Sequence, residues 1–148
     1  MSILVTGGAG FIGSHLCDAL IQKSENKVIC VDNFSLGTKE NIKHLENQRN
    51  FCLYEADATK REELEAIFEE HRPDMVFHLA ANSDIQASAK NPDVEYRNTY
   101  STTFEVLSCM KKYDVKKLFF ASTSAIYGDK KDLLQETTGD LRPISYYG

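Results

Sequence analysis

A glycine-rich segment near the start of the chain has residue types and a spacing suited to holding phosphate. Residues 6–13 read Thr-Gly-Gly-Ala-Gly-Phe-Ile-Gly and directly follow the apolar run Ile3-Leu4-Val5. Three glycines in the pattern Gly8-x-Gly10-x-x-Gly13 permit a tight turn, close approach of a pyrophosphate and close packing of the next helix. The N–H groups at that helix's N-terminus would face the phosphates. Glycines also serve ordinary turns and caps, so the interpretation depends on the surrounding elements.

An acidic residue stands where a second part of a dinucleotide would lie. Asp32 follows an apolar run at residues 27–31, nineteen positions after Gly13. A carboxylate at that strand end accepts hydrogen bonds from the adenosine ribose hydroxyls and repels a 2′-phosphate. Asp32 followed by Asn33 is also an ordinary turn opener. Together with the glycines, however, Asp32 predicts NAD rather than NADP as the cofactor.

Alternating strands and helices must position these residues. Apolar runs predict strands at residues 3–5, 27–31, 51–54, 74–79 and 117–121, and periodic spacing predicts helices at 11–23, 39–46, 60–72 and 91–113. Thr59-x-x-Glu62 would form a capping box for the third helix, and Asn91-Pro92 would begin the fourth. Right-handed crossovers between the strands predict a doubly wound parallel α/β sheet, a Rossmann fold of five or more strands. Ligands are expected beyond the carboxyl ends of the strands.

Composition bounds the class of protein. The 148 residues are 42% hydrophobic and 26% charged, which predicts one globular domain spanning residues 1–148. The net charge of −5 is spread without a basic stripe, which argues against nucleic acid and a membrane surface as partners. We expect no signal peptide, no membrane span and a reducing cytoplasmic location. No metal site is predicted, because the histidines and the cysteines lack ligand spacing: Cys17, Cys30, Cys52 and Cys109 are scattered.

Motifs along the whole chain resemble the extended short-chain dehydrogenase/reductase family. Besides the glycine turn they are Asp32-Asn33, Asp57, His78-Leu79-Ala80-Ala81, Asn98 and the run Ser122-Thr123-Ser124-Ala125-Ile126-Tyr127-Gly128. Within that family the NAD-dependent nucleotide-sugar epimerases, such as UDP-glucose 4-epimerase, are the most similar.

The resemblance implies a set of residues that contact NAD. The pyrophosphate would be held by Gly7, Gly10, Phe11, Ile12 and Gly13, and the adenosine by Asp32, Asn33, Asp57 and Ala58. The rest of the cofactor would be lined by Leu79, Ala80, Ala81, Asn98 and Ser122. His78 is interpreted as a hydrogen-bonded histidine at a strand end rather than a catalyst.

The resemblance also implies a hydroxyl that bonds the sugar oxygen and a tyrosine in a Tyr-x-x-x-Lys helix. By this resemblance, the hydroxyl belongs to Thr123. Tyr-x-x-x-Lys occurs at residues 113–117 and 127–131, but neither run suits a helix beyond the fifth strand. The run Ser145-Tyr146-Tyr147-Gly148 has the form of the family's motif and nominates Tyr147. Its lysine would fall three residues beyond Gly148, so we expect the sequence to stop inside the motif, as the cofactor-binding half of a longer enzyme.

The implied function is a nucleotide-sugar 4-epimerase of the UDP-glucose/UDP-galactose type, which oxidises its substrate transiently at C4. A UDP-sugar is the expected substrate and a homodimer the expected assembly. One alternative is a nucleotide-sugar 4,6-dehydratase or decarboxylase, which usually has an acidic residue where this chain has Ala125. The other is a noncatalytic NAD-binding sensor or scaffold. Without the lysine and a sugar-binding region, the 148-residue chain is expected to be inactive.

Overall fold

Five parallel strands form one sheet at the centre of the protein. The computed structural model describes residues 1–131 and 133–148. Its strands are β1 (Ser2–Thr6), β2 (Lys27–Asp32), β3 (Phe51–Glu55), β4 (Met75–His78) and β5 (Leu118–Phe120). They lie in the order β3-β2-β1-β4-β5, and every neighbouring pair is parallel. The predicted parallel Rossmann sheet is confirmed.

Helices pack on both faces of this sheet but leave the side chains of β5 exposed. They are α1 (Phe11–Ile21), α2 (Arg61–His71), α3 (Ile85–Lys90), α4 (Asp93–Glu95) and α5 (Thr102–Lys112), with a π-helical turn at Tyr96–Ser101 between the last two. The predicted helix at 91–113 is therefore interrupted by a wider turn. The predicted helix at 39–46 is instead two 3₁₀ turns, Lys39–Asn41 and Lys43–Leu45.

The predicted capping box of α2 is wrong. Lys60 is the N-cap residue and its side chain makes no cap hydrogen bond. The Thr59 hydroxyl donates instead to Asp57 Oδ1 at 2.8 Å, and Glu63 rather than Glu62 reaches back, accepting from the Asp57 N–H at 2.8 Å. Asp57 competes for the threonine side chain, which explains the shift of the cap by one residue.

The continuous apolar run of β1 follows from its position in the middle of the sheet. Ile3 and Val5 pack in one cluster with Cys17 of α1, whereas Leu4 packs on the other face with Phe68 of α2. All three strand side chains are fully buried. A strand covered on both faces needs apolar residues at successive positions rather than alternating ones.

The strand order creates a crevice at one end of the sheet. From β1 the chain steps outward to β2 and β3, and it then returns to the opposite side of β1 for β4 and β5. The connections leaving the carboxyl ends of β1 and β4 therefore diverge, which is where ligands bind in open α/β sheets. Among the described residues, no helix is long and apolar enough to cross a membrane; the cytoplasmic location stays a prediction.

Candidate active site

The glycine turn lies directly against the carboxyl end of β4. Gly7 has a φ of +70°, in the left-handed region that favours glycine, and a Cβ there would lie 2.8 Å from the Ala80 backbone nitrogen. A Cβ at Gly13 would overlap the Gly7 carbonyl oxygen, so this glycine lets α1 pack onto the turn. Gly10 differs, because a Cβ there would meet only the Gly7 oxygen, at 3.3 Å. The protein itself therefore needs Gly7 and Gly13, whereas the space at Gly10 is free for a ligand.

The first turn of α1 offers backbone donors beside that space. Its first intrahelical hydrogen bond runs from the Ser14 N–H to the Gly10 carbonyl at 2.9 Å, and no side chain caps the helix at Gly10. The N–H groups of Phe11, Ile12 and Gly13 precede this bond and have no partner within the helix. Donors at a positive helix end suit a pyrophosphate.

Asp32 performs a structural role that its sequence position did not indicate. Its side chain is buried, Oδ2 accepts from the Ala9 N–H at 2.9 Å, and Oδ1 accepts from the Phe34 N–H at 2.8 Å. The carboxylate thus ties the glycine turn to the end of β2. Each oxygen retains a second lone pair that a ribose hydroxyl can use. Asn33 is exposed, and its side-chain oxygen accepts from the Ser35 N–H at 3.0 Å.

The loop after β3 runs beside Asp32. The Ala56 N–H donates to the Asp32 carbonyl at 3.1 Å, which places Asp57 and Ala58 next to the end of β2. Asp57 Oδ1 accepts from the Thr59 N–H at 2.9 Å, and Ala58 is buried. The two residues can therefore form a wall beside an adenosine bound at Asp32.

His78 links the glycine turn to α5 through a directed chain of hydrogen bonds. The Thr6 hydroxyl lies 2.7 Å from His78 Nδ1 and accepts from the Ala80 N–H at 3.3 Å. His78 Nε2 lies 3.0 Å from the Thr103 hydroxyl, which donates to the Thr99 carbonyl at 2.8 Å. Because the one Thr103 hydroxyl proton goes to Thr99, Nε2 carries the ring proton, and Nδ1 of the neutral ring accepts from the Thr6 hydroxyl. Burial lowers the pKa of His78 to about 4, so the ring is neutral, as expected for a satisfied strand-end histidine.

A second polar network continues along the same helical segment. The buried Glu95 carboxylate accepts from the Thr99 hydroxyl at 2.6 Å and from the Asn82 side-chain amide at 2.7 Å. The Asn82 N–H in turn donates to the Thr99 hydroxyl at 3.2 Å. Sequence analysis missed these residues, although Glu95, Thr99 and Thr103 are polar residues repeated every four positions, a spacing that places them on one helix face.

A cavity of about 170 Å³ lies between the ends of β4 and β5. Of the predicted site residues it is lined by Leu79, Ala80, Ala81, Ser122, Thr123 and Tyr147. The structure therefore brings the predicted hydroxyl and the predicted tyrosine to one place beside the glycine turn. Asn98 lies outside, exposed on the π-helical turn, while its neighbour Thr99 lines the cavity. The role of Asn98 stays a prediction.

Thr123 is held in a defined orientation. It precedes a 3₁₀ turn at Ser124–Tyr127, and its Oγ1 accepts from the Ala125 N–H at 3.2 Å. The hydroxyl therefore caps the turn and keeps its own proton for donation to a ligand oxygen. Gly148 packs against the same turn, because a Cβ at Gly148 would lie 2.7 Å from the Ala125 carbonyl oxygen. The segment carrying Tyr147 therefore lies on the same cavity as Thr123.

Among residues 1–131 and 133–148, no group of three or more His, Cys, Asp and Glu side chains is placed to hold a metal ion. The groups that converge at the crevice are instead backbone N–H donors, one carboxylate and a hydroxyl–phenol pair. Together with the parallel sheet and its glycine turn, they define a dinucleotide-binding domain.

Comparison with known proteins gives the family. The profile of the NAD-dependent epimerase/dehydratase family matches residues 3–148, and the chain belongs to that family. It is 36% identical over 149 residues to a UDP-glucose 4-epimerase of Streptococcus mutans, covering 100% of this chain and 43% of the relative.

Solved structures agree with this family assignment. The UDP-glucose 4-epimerase of Thermotoga maritima, solved with UDP-glucose, superimposes with a TM-score of 0.89 at 43% identity, over 100% of this chain and 47% of that one. The Thermus thermophilus UDP-glucose 4-epimerase, solved with NAD, gives 0.88 at 35% identity, over 99% and 46%. The chain thus spans less than half the length of these relatives. NAD is the cofactor of the family, and the glycine turn, the free helix donors and Asp32 fit it.

Proposed function

We propose that this chain is the NAD-binding domain, residues 1–148, of a nucleotide-sugar 4-epimerase that acts on UDP-sugars by transient oxidation at C4. The observation that carries the proposal is the cavity in which Thr123 and Tyr147 meet beside Ala80 and the glycine turn. The relatives named as UDP-glucose 4-epimerases support the choice of reaction.

Thr123 and Tyr147 would divide the proton chemistry. The Thr123 hydroxyl, fixed by the Ala125 N–H, would donate to the sugar 4-oxygen and orient it. Tyr147 as phenolate would take the 4-hydroxyl proton and return it when the 4-keto sugar is reduced on its other face. NAD, when bound, supplies the oxidation and the reduction at C4. An unperturbed tyrosine has a pKa of about 10 and is a poor base at neutral pH, so we expect a lysine three residues beyond Gly148 to lower it.

The residue at position 125 favours this reaction over dehydration. A 4,6-dehydratase or decarboxylase of the family usually has an acidic residue two positions after the threonine that corresponds to Thr123. That position is Ala125, whose side chain can neither donate nor accept a proton. We therefore propose epimerisation without elimination.

The test is interconversion of UDP-glucose and UDP-galactose by the complete enzyme in the presence of NAD. Tyr147→Phe and Thr123→Val should lower kcat by about 10²- to 10⁴-fold, the range for loss of a general base, while NAD binding is retained. Tyr146→Phe is the matched control, because it removes a neighbouring exposed phenol, and it should remain active. An active Tyr147→Phe enzyme would contradict the assignment, and binding of NAD without turnover in the wild type would favour a sensor or scaffold.

A homodimer of the complete enzyme is part of the proposal. Tyr96 and Tyr100 stack with ring centroids 5.7 Å apart, Phe104 stacks on Tyr100 at 6.4 Å, and all three side chains are exposed. Such a surface favours association of two copies. Sedimentation of the complete enzyme at micromolar concentration should give the mass of two chains; a single-chain mass would contradict this part.

A further inference from the structure

A lysine lies at the end of the sheet where Asp32 stands. Lys39 Nζ lies 2.7 Å from Glu55 Oε2 and 5.0 Å from the centre of the Phe34 ring. Both charged side chains are more than half exposed, at 57% and 63%. The ammonium is thus held by one carboxylate and one aromatic face at the protein surface.

Three contacts tie this ion pair to Asp32. Glu55 is paired with Asp32 in the register of β2 and β3, so their side chains leave the same face of the sheet from strands about 4.8 Å apart. Phe34, whose ring lies under the lysine, donates its N–H to Asp32 Oδ1 at 2.8 Å. The Ala56 N–H, which follows Glu55, donates to the Asp32 carbonyl at 3.1 Å. These contacts place the Lys39–Glu55 ion pair beside Asp32, the residue expected to hold the adenosine ribose.

The charges at this strand end bear directly on the choice between NAD and NADP. A carboxylate beside the adenosine ribose favours the free 2′-hydroxyl, whereas a nearby cation accommodates a 2′-phosphate. Here a cation is present, but its charge is balanced by Glu55. The two carboxylates of Asp32 and Glu55 and the ammonium of Lys39 leave a net charge of −1 at this strand end.

We propose that Glu55 is a second specificity-determining residue for NAD over NADP, and that it acts by occupying Lys39. Without Glu55, Lys39 stays over the Phe34 ring and is free to pair with a 2′-phosphate. This inference rests on the NAD site of the proposed function, but it does not depend on the identity of the sugar.

Removal of Glu55 should change NADP binding and spare the fold. An exposed ion pair contributes little to stability, so Glu55→Gln should fold normally. It should bind NADP about five- to tenfold more tightly than the wild type, because one repulsive charge is lost and one attractive charge is released. NAD has no 2′-phosphate, so its affinity should change by less than about twofold.

Calorimetric titration of the chain with NAD and NADP tests the inference in four proteins: wild type, Glu55→Gln, Lys39→Met and the double variant. The NADP gain should vanish in the double variant, since it requires the lysine. Glu65→Gln is the matched control, because it removes a carboxylate 2.8 Å from a lysine on the distant pair Lys112–Glu65 and changes the net charge equally. It should leave both affinities unchanged. ADP and adenosine 2′,5′-diphosphate, titrated in parallel, should show the same differences if the adenosine end alone is responsible.

Each other result has a definite meaning. An equal NADP gain in Glu55→Gln and Glu65→Gln would reduce the effect to net charge and overturn the proposal. A gain that survives in the double variant would exclude Lys39 as the phosphate partner. A wild-type chain that bound neither nucleotide would overturn the NAD site and this inference together, whereas normal NAD binding with no NADP gain would overturn the role of Glu55 alone.

Discussion

Protonation of His78 should destabilise the protein at mildly acidic pH. The ring is buried, its Nδ1 accepts the Thr6 hydroxyl proton, and its Nε2–H donates to Thr103. A proton added to Nδ1 would face a donor, so the Thr6 hydroxyl would have to reverse. The charged ring would also lack a carboxylate within hydrogen-bond distance, since its bonding partners are both threonines. Burial therefore lowers the pKa of His78 from 6.5 to about 4.

The size of the effect follows from these two pKa values. Between about pH 6.5 and pH 4 the unfolded chain binds a proton at His78 that the folded chain does not, so the free energy of unfolding falls as the pH is lowered. One pKa unit corresponds to about 1.4 kcal/mol, which gives a loss of about 2 kcal/mol between pH 7 and pH 5. At full protonation of both states the loss approaches about 3 kcal/mol.

Urea unfolding of the wild type and His78→Asn at pH 5 to 7 measures this loss. Asparagine keeps an acceptor for Thr6 but does not titrate, so the variant should lose about 2 kcal/mol less than the wild type over this range. His71→Gln is the control. The pKa of His71 is also lowered by burial, so His71 also lowers the free energy of unfolding as the pH falls, and this variant separates its effect from that of His78. The pKa of Glu63 is lowered by Lys60, so its stabilising contribution is lost as the pH falls below the ordinary value of 4.5, which lies outside the range from pH 5 to 7. A His78 pKa near 6.5 in an NMR titration of the folded wild type would refute the reasoning.

Three further outcomes are expected. Gly10→Val should weaken NAD binding by more than about tenfold with little loss of thermal stability. Gly13→Val, by contrast, should lower Tm because its side chain overlaps the glycine turn. A Gly10→Val protein that bound NAD with wild-type affinity would contradict the role of Gly10. Calorimetry should show that NADP binds at least about tenfold more weakly than NAD, and Asp32→Asn should reduce this difference in affinity. An unchanged preference for NAD in Asp32→Asn would exclude Asp32 as its cause. The 148-residue chain should bind NAD but not epimerise UDP-glucose in a coupled assay, and turnover would contradict its dependence on a lysine beyond Gly148.

Local patterns in the sequence were enough to predict the sheet. The central strand β1 is covered on both faces and must be apolar throughout, and the other strands are visible as short apolar runs, including the edge strand β5, whose side chains are exposed in the structure. The glycine turn could be predicted for the same reason, because close backbone approach restricts the residue type itself. Helix boundaries were less accurate where side chains compete, as Asp57 does for Thr59 at the start of α2.

Only the tertiary structure decided which of these groups act together. The structural role of Asp32 depends on the Ala9 N–H, twenty-three residues away, and the hydrogen bonds of His78 depend on Thr6 and Thr103, which lie on other elements. The pairing of Lys39 with Glu55 likewise joins a 3₁₀ turn to the end of β3, and the register of β2 and β3 places Glu55 beside Asp32. Such contacts are set by strand order and helix docking rather than by local residue preference. The sequence therefore identified the ends of the strands as the site, and the fold determined which charges and donors meet there.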